Sequence, residues 1–109
     1  MTTRTRILVV DNDLDNLSRI YLGLIHRNYK AEATDNTAEI PERIKRMKPA
    51  VIIMGKMAYL TSLAKSRIPV ILLMEKSEQA CPNMDPGVVL LEKPVSIDTL
   101  VDTIESLVF

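Results

Sequence analysis

Four short runs of uninterrupted apolar residues most constrain what this chain can fold into. They are Ile7-Leu8-Val9-Val10, Val51-Ile52-Ile53-Met54, Val70-Ile71-Leu72-Leu73-Met74 and Val88-Val89-Leu90-Leu91. A strand with one wet face alternates apolar and polar residues, whereas a strand covered on both faces does not. The runs therefore read as strands of a parallel sheet sandwiched between helices. At four or five residues they are far short of the ~20 that a membrane helix needs. A fifth stretch, Lys30 to Thr34, is polar enough to be an edge strand.

Helical patterns fill the intervals. Leu14, Leu17, Ile20, Tyr21, Leu24 and Ile25 recur at helix spacing behind Asp13, a residue type that caps helices. Ile40, Ile44 and Met47 mark a second helix, beginning near Thr37 or with Pro41 as its first-turn proline. A short third helix is expected over residues 58–66, with Leu60, Leu63 and Ala64 inward. The last is the clearest: Ser96 caps a stripe of Ile97, Leu100, Val101, Ile104, Leu107 and Val108. Residues 75–87 contain Pro82, Pro86 and an Asp85-Pro86-Gly87 turn, which leaves room for one helical turn at most. Strand and helix alternate throughout, so right-handed βαβ units and a parallel sheet with helices on both faces follow.

Composition narrows the function. The 109 residues make one domain, spanning 1–109, and Lys plus Arg equal Asp plus Glu at 14 each. Zero formal charge argues against a nucleic-acid footprint or a polybasic membrane patch. No signal-peptide core follows the first residues, and the expected setting is the cytoplasm. The single cysteine, Cys81, allows no internal disulfide. With only Gly23, Gly55 and Gly87, there is no Gly-rich phosphate loop. With only His26, every His-based triad and most metal sites go too. No nucleophile–base pair can be named, so the chain is not expected to be an enzyme.

Function in open α/β sheets sits past the carboxyl ends of the strands. There the sequence has Asp11-Asn12-Asp13, Gly55-Lys56-Met57, Met74-Glu75 and Glu92-Lys93-Pro94. With Ile-Leu-Val-Val-Asp at 7–11, Lys-Pro-x-Val-Ile-Ile at 48–53, Ile-Pro-Val-Ile at 68–71 and Leu-Glu-Lys-Pro at 91–94, the chain resembles the response-regulator receiver domain of two-component signalling along essentially its whole length. The resemblance implies a flavodoxin-like, doubly wound, five-stranded sheet of order 2-1-3-4-5, here with a shortened third helix and a reduced or absent fourth. It also implies a pocket in which an aspartate ending the third strand accepts a phosphoryl group. Two acidic residues after the first strand would hold Mg²⁺, a hydroxyl after the fourth would sense the phosphoryl oxygen, and a strand-five lysine would pair with it. The Lys93–Pro94 bond is expected to be cis, as in that family.

Residue by residue, the pocket is dismantled. Asp11 and Lys93 match, but Asn12 stands at the second acidic position and Gly55 at the phosphoacceptor position, counted from the Pro49 motif without a gap. Met74 replaces the hydroxyl, Glu75 replaces a small residue, and Leu90 replaces an aromatic switch residue. Phosphorylation of a carboxylate requires that carboxylate as nucleophile. Mg²⁺ asks for several hard, mostly anionic oxygens, so no Mg²⁺ or other cofactor is expected, and Asp11 is the one weak metal candidate.

Plainer roles stand beside these. Asp11, Asn12 and Asp13 suit helix and loop capping; Lys93 suits a structural charge paired with Asp11 or Glu75. Met54, Met57 and Met74 suit core filling, and His26 suits the dipole at a helix end. Lys56 is expected on an exposed loop, and Cys81 has no assigned role. The leading expectation is a degenerate receiver, or pseudo-receiver, that signals by phosphorylation-independent protein contact. Its contact face, for a protein partner or a second copy, would be the edge of strand four, strand five and the last helix, with Leu90, Glu92, Asp98, Asp102 and Glu105. The apolar end at Leu107-Val108-Phe109 suggests a domain cut from a longer chain, such as one with a fused output domain, or burial in a contact. The alternative is an α/β module that binds a small ligand or anion in the remodelled pocket around Lys93.

Overall fold

The computed structural model describes residues 5–55, 68–75 and 88–108. Its strands are β1 (Arg6–Val10), β2 (Lys30–Thr34), β3 (Val51–Gly55), β4 (Val70–Met74) and β5 (Val88–Glu92). They form one sheet in the order β2-β1-β3-β4-β5, and every neighbouring pair is parallel. The described helices are α1 (Leu14–His26), α2 (Ile40–Met47) and α3 (Ile97–Val108). This is the flavodoxin-like arrangement the sequence implied. The short helix expected over residues 58–66, the reduced fourth helix, and Lys56, Met57 and Cys81 lie outside the described residues.

The unbroken apolar runs are explained by two cores, one on each face. Ile7, Val9, Val51, Ile53, Ile71 and Leu73 pack with Leu17, Ile20 and Leu24 of α1 and Leu100, Val101 and Ile104 of α3. Their strand neighbours Leu8, Val10, Ile52, Met54, Leu72 and Met74 pack with Ile40 and Met47 of α2. Successive residues of a strand point to opposite faces, so burial on both sides requires both sets to be apolar. Met54 and Met74 are core residues, as expected, and His26 is exposed in the last turn of α1.

Helix starts follow the caps. The Asp13 carboxylate accepts from the Asn16 amide, and the Ser96 hydroxyl accepts from the Thr99 amide. Both proposed starts of the second helix have a counterpart: Asn36 caps a 3₁₀ turn at Thr37–Glu39, which runs into α2 with Pro41 in its first turn. Gly23 leaves room for α3 against α1, since an added Cβ would lie 2.6 Å from Ile97 Cδ1. The Lys93–Pro94 peptide is cis.

Candidate functional site

The carboxyl ends of β1, β3, β4 and β5 meet on one side of the sheet. Register explains the meeting: Val10 pairs with Met54, Gly55 with Leu73, and Met74 with Glu92. The residues just past these ends are Asp11, Glu75 and Lys93.

Asp11 is 2% exposed, a burial that a carboxylate tolerates only when its oxygens are occupied. Its Oδ1 accepts from the Asp13 amide at 3.0 Å, and its Oδ2 accepts from Asn16 Nδ2 at 2.9 Å. Lys93 Nζ lies 3.1 Å from the same Oδ2 and 3.5 Å from Glu75 Oε1. The Lys93 amide also donates to the Met74 carbonyl at 2.7 Å, fixing the start of its side chain against the end of β4. Of the alternative partners that the sequence offered Lys93, the structure brings up both. Burial by itself would lower the Lys93 pKa, but Asp11, through its hydrogen bond and its charge, and then Glu75 together outweigh it and hold the ammonium above its ordinary 10.5.

Asn16 was missed in the sequence. It sits in the first turn of α1, where it looks like one more polar position of an exposed helix start. Only the fold shows that its amide aims back at Asp11. No helix or strand spacing pairs residues five apart across a cap, so the sequence carried no signal for this contact.

The other pocket positions fall into place by backbone geometry. Gly55 is buried at the end of β3, and a Cβ added there would lie 3.4 Å from Asp11 Oδ1. A side chain at residue 55 would therefore point at Asp11. Met74 is 8% exposed and belongs to the α2-side core, whereas Glu75 is half-exposed and Asn12 is exposed. This donor set does not fit Mg²⁺. Asp11 is the one carboxylate at the implied metal positions and is already bound by the Asp13 amide, Asn16 and Lys93, Asn12 is neutral, and Gly55 offers no oxygen from a side chain.

The residues expected at a contact edge lie on two elements. Leu90, 39% exposed, and Glu92 lie on β5, the outer strand. Asp98, Asp102 and Glu105 lie on α3. Asp98 forms an ion pair with Arg27 at the end of α1, and the Glu105 charge, after burial, helps push the Tyr29 phenol above its ordinary pKa. Helical spacing places Asp98, Asp102 and Glu105 along one flank of α3, so that flank looks toward α1. Periodicity identifies the buried stripe of a helix, but not which neighbour each flank meets.

Among the described residues no helix is long and apolar enough to cross a membrane. No protein-family model matches the sequence, and no curated protein does. Solved structures do match the fold. A response regulator receiver protein from Sinorhizobium medicae is 16% identical with a TM-score of 0.76, over 96% of this chain and 94% of that one. The chemotaxis protein CheY4 of Vibrio cholerae is 18% identical with a TM-score of 0.74, over 96% and 99%. A response regulator from Desulfuromonas acetoxidans is 24% identical with a TM-score of 0.73, over 94% of each chain. The described strands and helices thus have the arrangement of a receiver-domain fold.

Proposed function

We propose that the chain is a pseudo-receiver: a signalling module of the response-regulator type that works through protein contact without being phosphorylated. One observation carries the reading. Gly55 ends β3 beside Asp11, at the position where the resemblance places the phosphoryl-accepting aspartate, and it has no carboxylate to act as nucleophile. The lysine that would meet a phosphoryl group is already bound by Asp11 and Glu75. Those internal counter-ions also disfavour the alternative of an anion site around Lys93. The module acts in the cytoplasm on a protein partner or a second copy of itself, without Mg²⁺ and without an enzymatic step of its own. Its contact edge runs along β4 and β5 through Leu90 and Glu92, and a fused output domain is one form its partner could take.

The test is direct. Incubate the protein with acetyl phosphate and Mg²⁺ and measure its intact mass. The mass stays unchanged if the reading holds; a stable gain of one phosphoryl group overturns it.

A further inference from the structure

The opposite, amino-terminal end of the sheet holds a second polar cluster. Arg6 and Lys30 are in-register neighbours on β1 and β2, so their side chains leave the same face. That face is the one α2 covers, since Leu8, two residues on from Arg6, packs with Ile40 and Met47. Arg6, Lys30, Glu32, Arg46 and Met47 line a cavity of about 180 Å³ there.

The charges around it do not balance. Glu32 Oε1 is shared by Arg43 at 2.7 Å and Arg46 at 2.8 Å, and Arg43 also holds Glu39 at 3.0 Å. Arg6 donates from Nη1 to the Met47 carbonyl at 3.1 Å, which covers an acceptor left over at the end of α2. Among the described residues, neither Arg6 nor Lys30 has a carboxylate within ion-pair distance. Four cations therefore face two carboxylates, in a chain whose formal charge is zero. Two like charges in register on one face repel each other, so this end of the sheet carries an electrostatic cost that a bound anion removes. The cations in the last turn of α2 have an ordinary role opposite the helix dipole, but Lys30, on β2, does not.

We propose that this cavity binds a compact dianion of the phosphate class, held by Arg6 and Lys30 with Arg46 at its rim. An arginine fork and a lysine point charge are the usual pair for a tetrahedral oxyanion, and two unpaired cations match two negative charges. Glu32 does not oppose the ligand, because two guanidinium groups already neutralise it. The space is slightly larger than a cavity of about 150 Å³ that accepts a benzene ring, so a phosphate fits with a few further atoms.

An NMR titration of the full chain with inorganic phosphate, and separately with glycerol phosphate, tests this against chloride at matched ionic strength. Saturable shifts are expected at the amides of Arg6, Lys30, Arg46 and Met47. Lys30→Gln, which gives up no internal bond, should weaken binding at least tenfold; Arg6→Gln should do the same. Equal affinity for the two probes assigns the site to free phosphate, and tighter binding of the ester assigns it to an organic phosphate. The proposal is overturned by shifts that chloride reproduces, by wild-type affinity in Lys30→Gln, or by shifts centred on Lys93.

Discussion

Replacing Lys93 by methionine removes the ammonium and leaves a side chain of similar length. The Asp11 carboxylate, 2% exposed, then loses its counter-ion but keeps the Asp13 amide at 3.0 Å and the Asn16 side chain at 2.9 Å. Breaking a buried ion pair by deleting one partner costs about 3–5 kcal/mol. The two surviving hydrogen bonds, and a Lys93 side chain still 13% exposed to water, place this case lower, at about 2–3 kcal/mol at neutral pH. For a domain of this size that is a fall in Tm of roughly 10–20 °C. The dependence on pH carries more information than the size. The folded-state pKa of Lys93 is raised, so its stabilisation is complete below 10.5 and is lost as pH climbs through the folded value. Wild type therefore has an alkaline limb that Lys93→Met lacks. Urea unfolding at pH 7, 9 and 11.5, with unchanged m-values, follows the gap into this limb. A loss below about 1 kcal/mol at pH 7, or a gap that stays constant across the series, would refute the assignment of Asp11–Lys93 as the charge pair that closes the pocket.

Two glycine substitutions probe the packing. Gly23→Ala puts a methyl 2.6 Å from Ile97 Cδ1 and should cost about 1–3 kcal/mol in urea unfolding, with part of the loss recovered in the double variant that also carries Ile97→Val. Gly55→Ala meets only ordinary contact, 3.4 Å from Asp11 Oδ1, and should be neutral or stabilising by up to about 1 kcal/mol. Gly55→Asp instead sets a like charge against Asp11, so its Tm should lie below that of Gly55→Ala at pH 7 and converge on it as pH falls.

The five strands were legible because a parallel sheet covered on both faces leaves an unbroken apolar signature, which the two cores account for residue by residue. β2 was the faintest, since Lys30 and Glu32 keep one side of that outer strand polar. The pocket was legible in composition: Asp11, Gly55, Glu75 and Lys93 sit at strand ends that the alternation of elements already aligned. Two features were not. The side-chain amide of Asn16 reaches Asp11 only through the turn that Asp13 caps, and no spacing rule for helices or strands describes that path. The flank that Asp98 presents to Arg27 depends on the rotation of α3 against α1, which follows from the Gly23–Ile97 approach and not from the stripe of α3 alone.

The Asp11–Lys93 pair also has a consequence in time. Nearly the whole chain separates the two residues, and two strands, β3 and β4, lie between β1 and β5 in the sheet. Contacts that close so long a loop repay their entropy late, after the local helices and the central strands have formed. A contact of this kind is expected to form after the transition state, so Lys93→Met should speed unfolding and leave the folding rate nearly unchanged in stopped-flow urea chevrons. On that expectation the charge pair is a latch on the finished fold: it bears on how long the native state persists more than on how quickly it is reached.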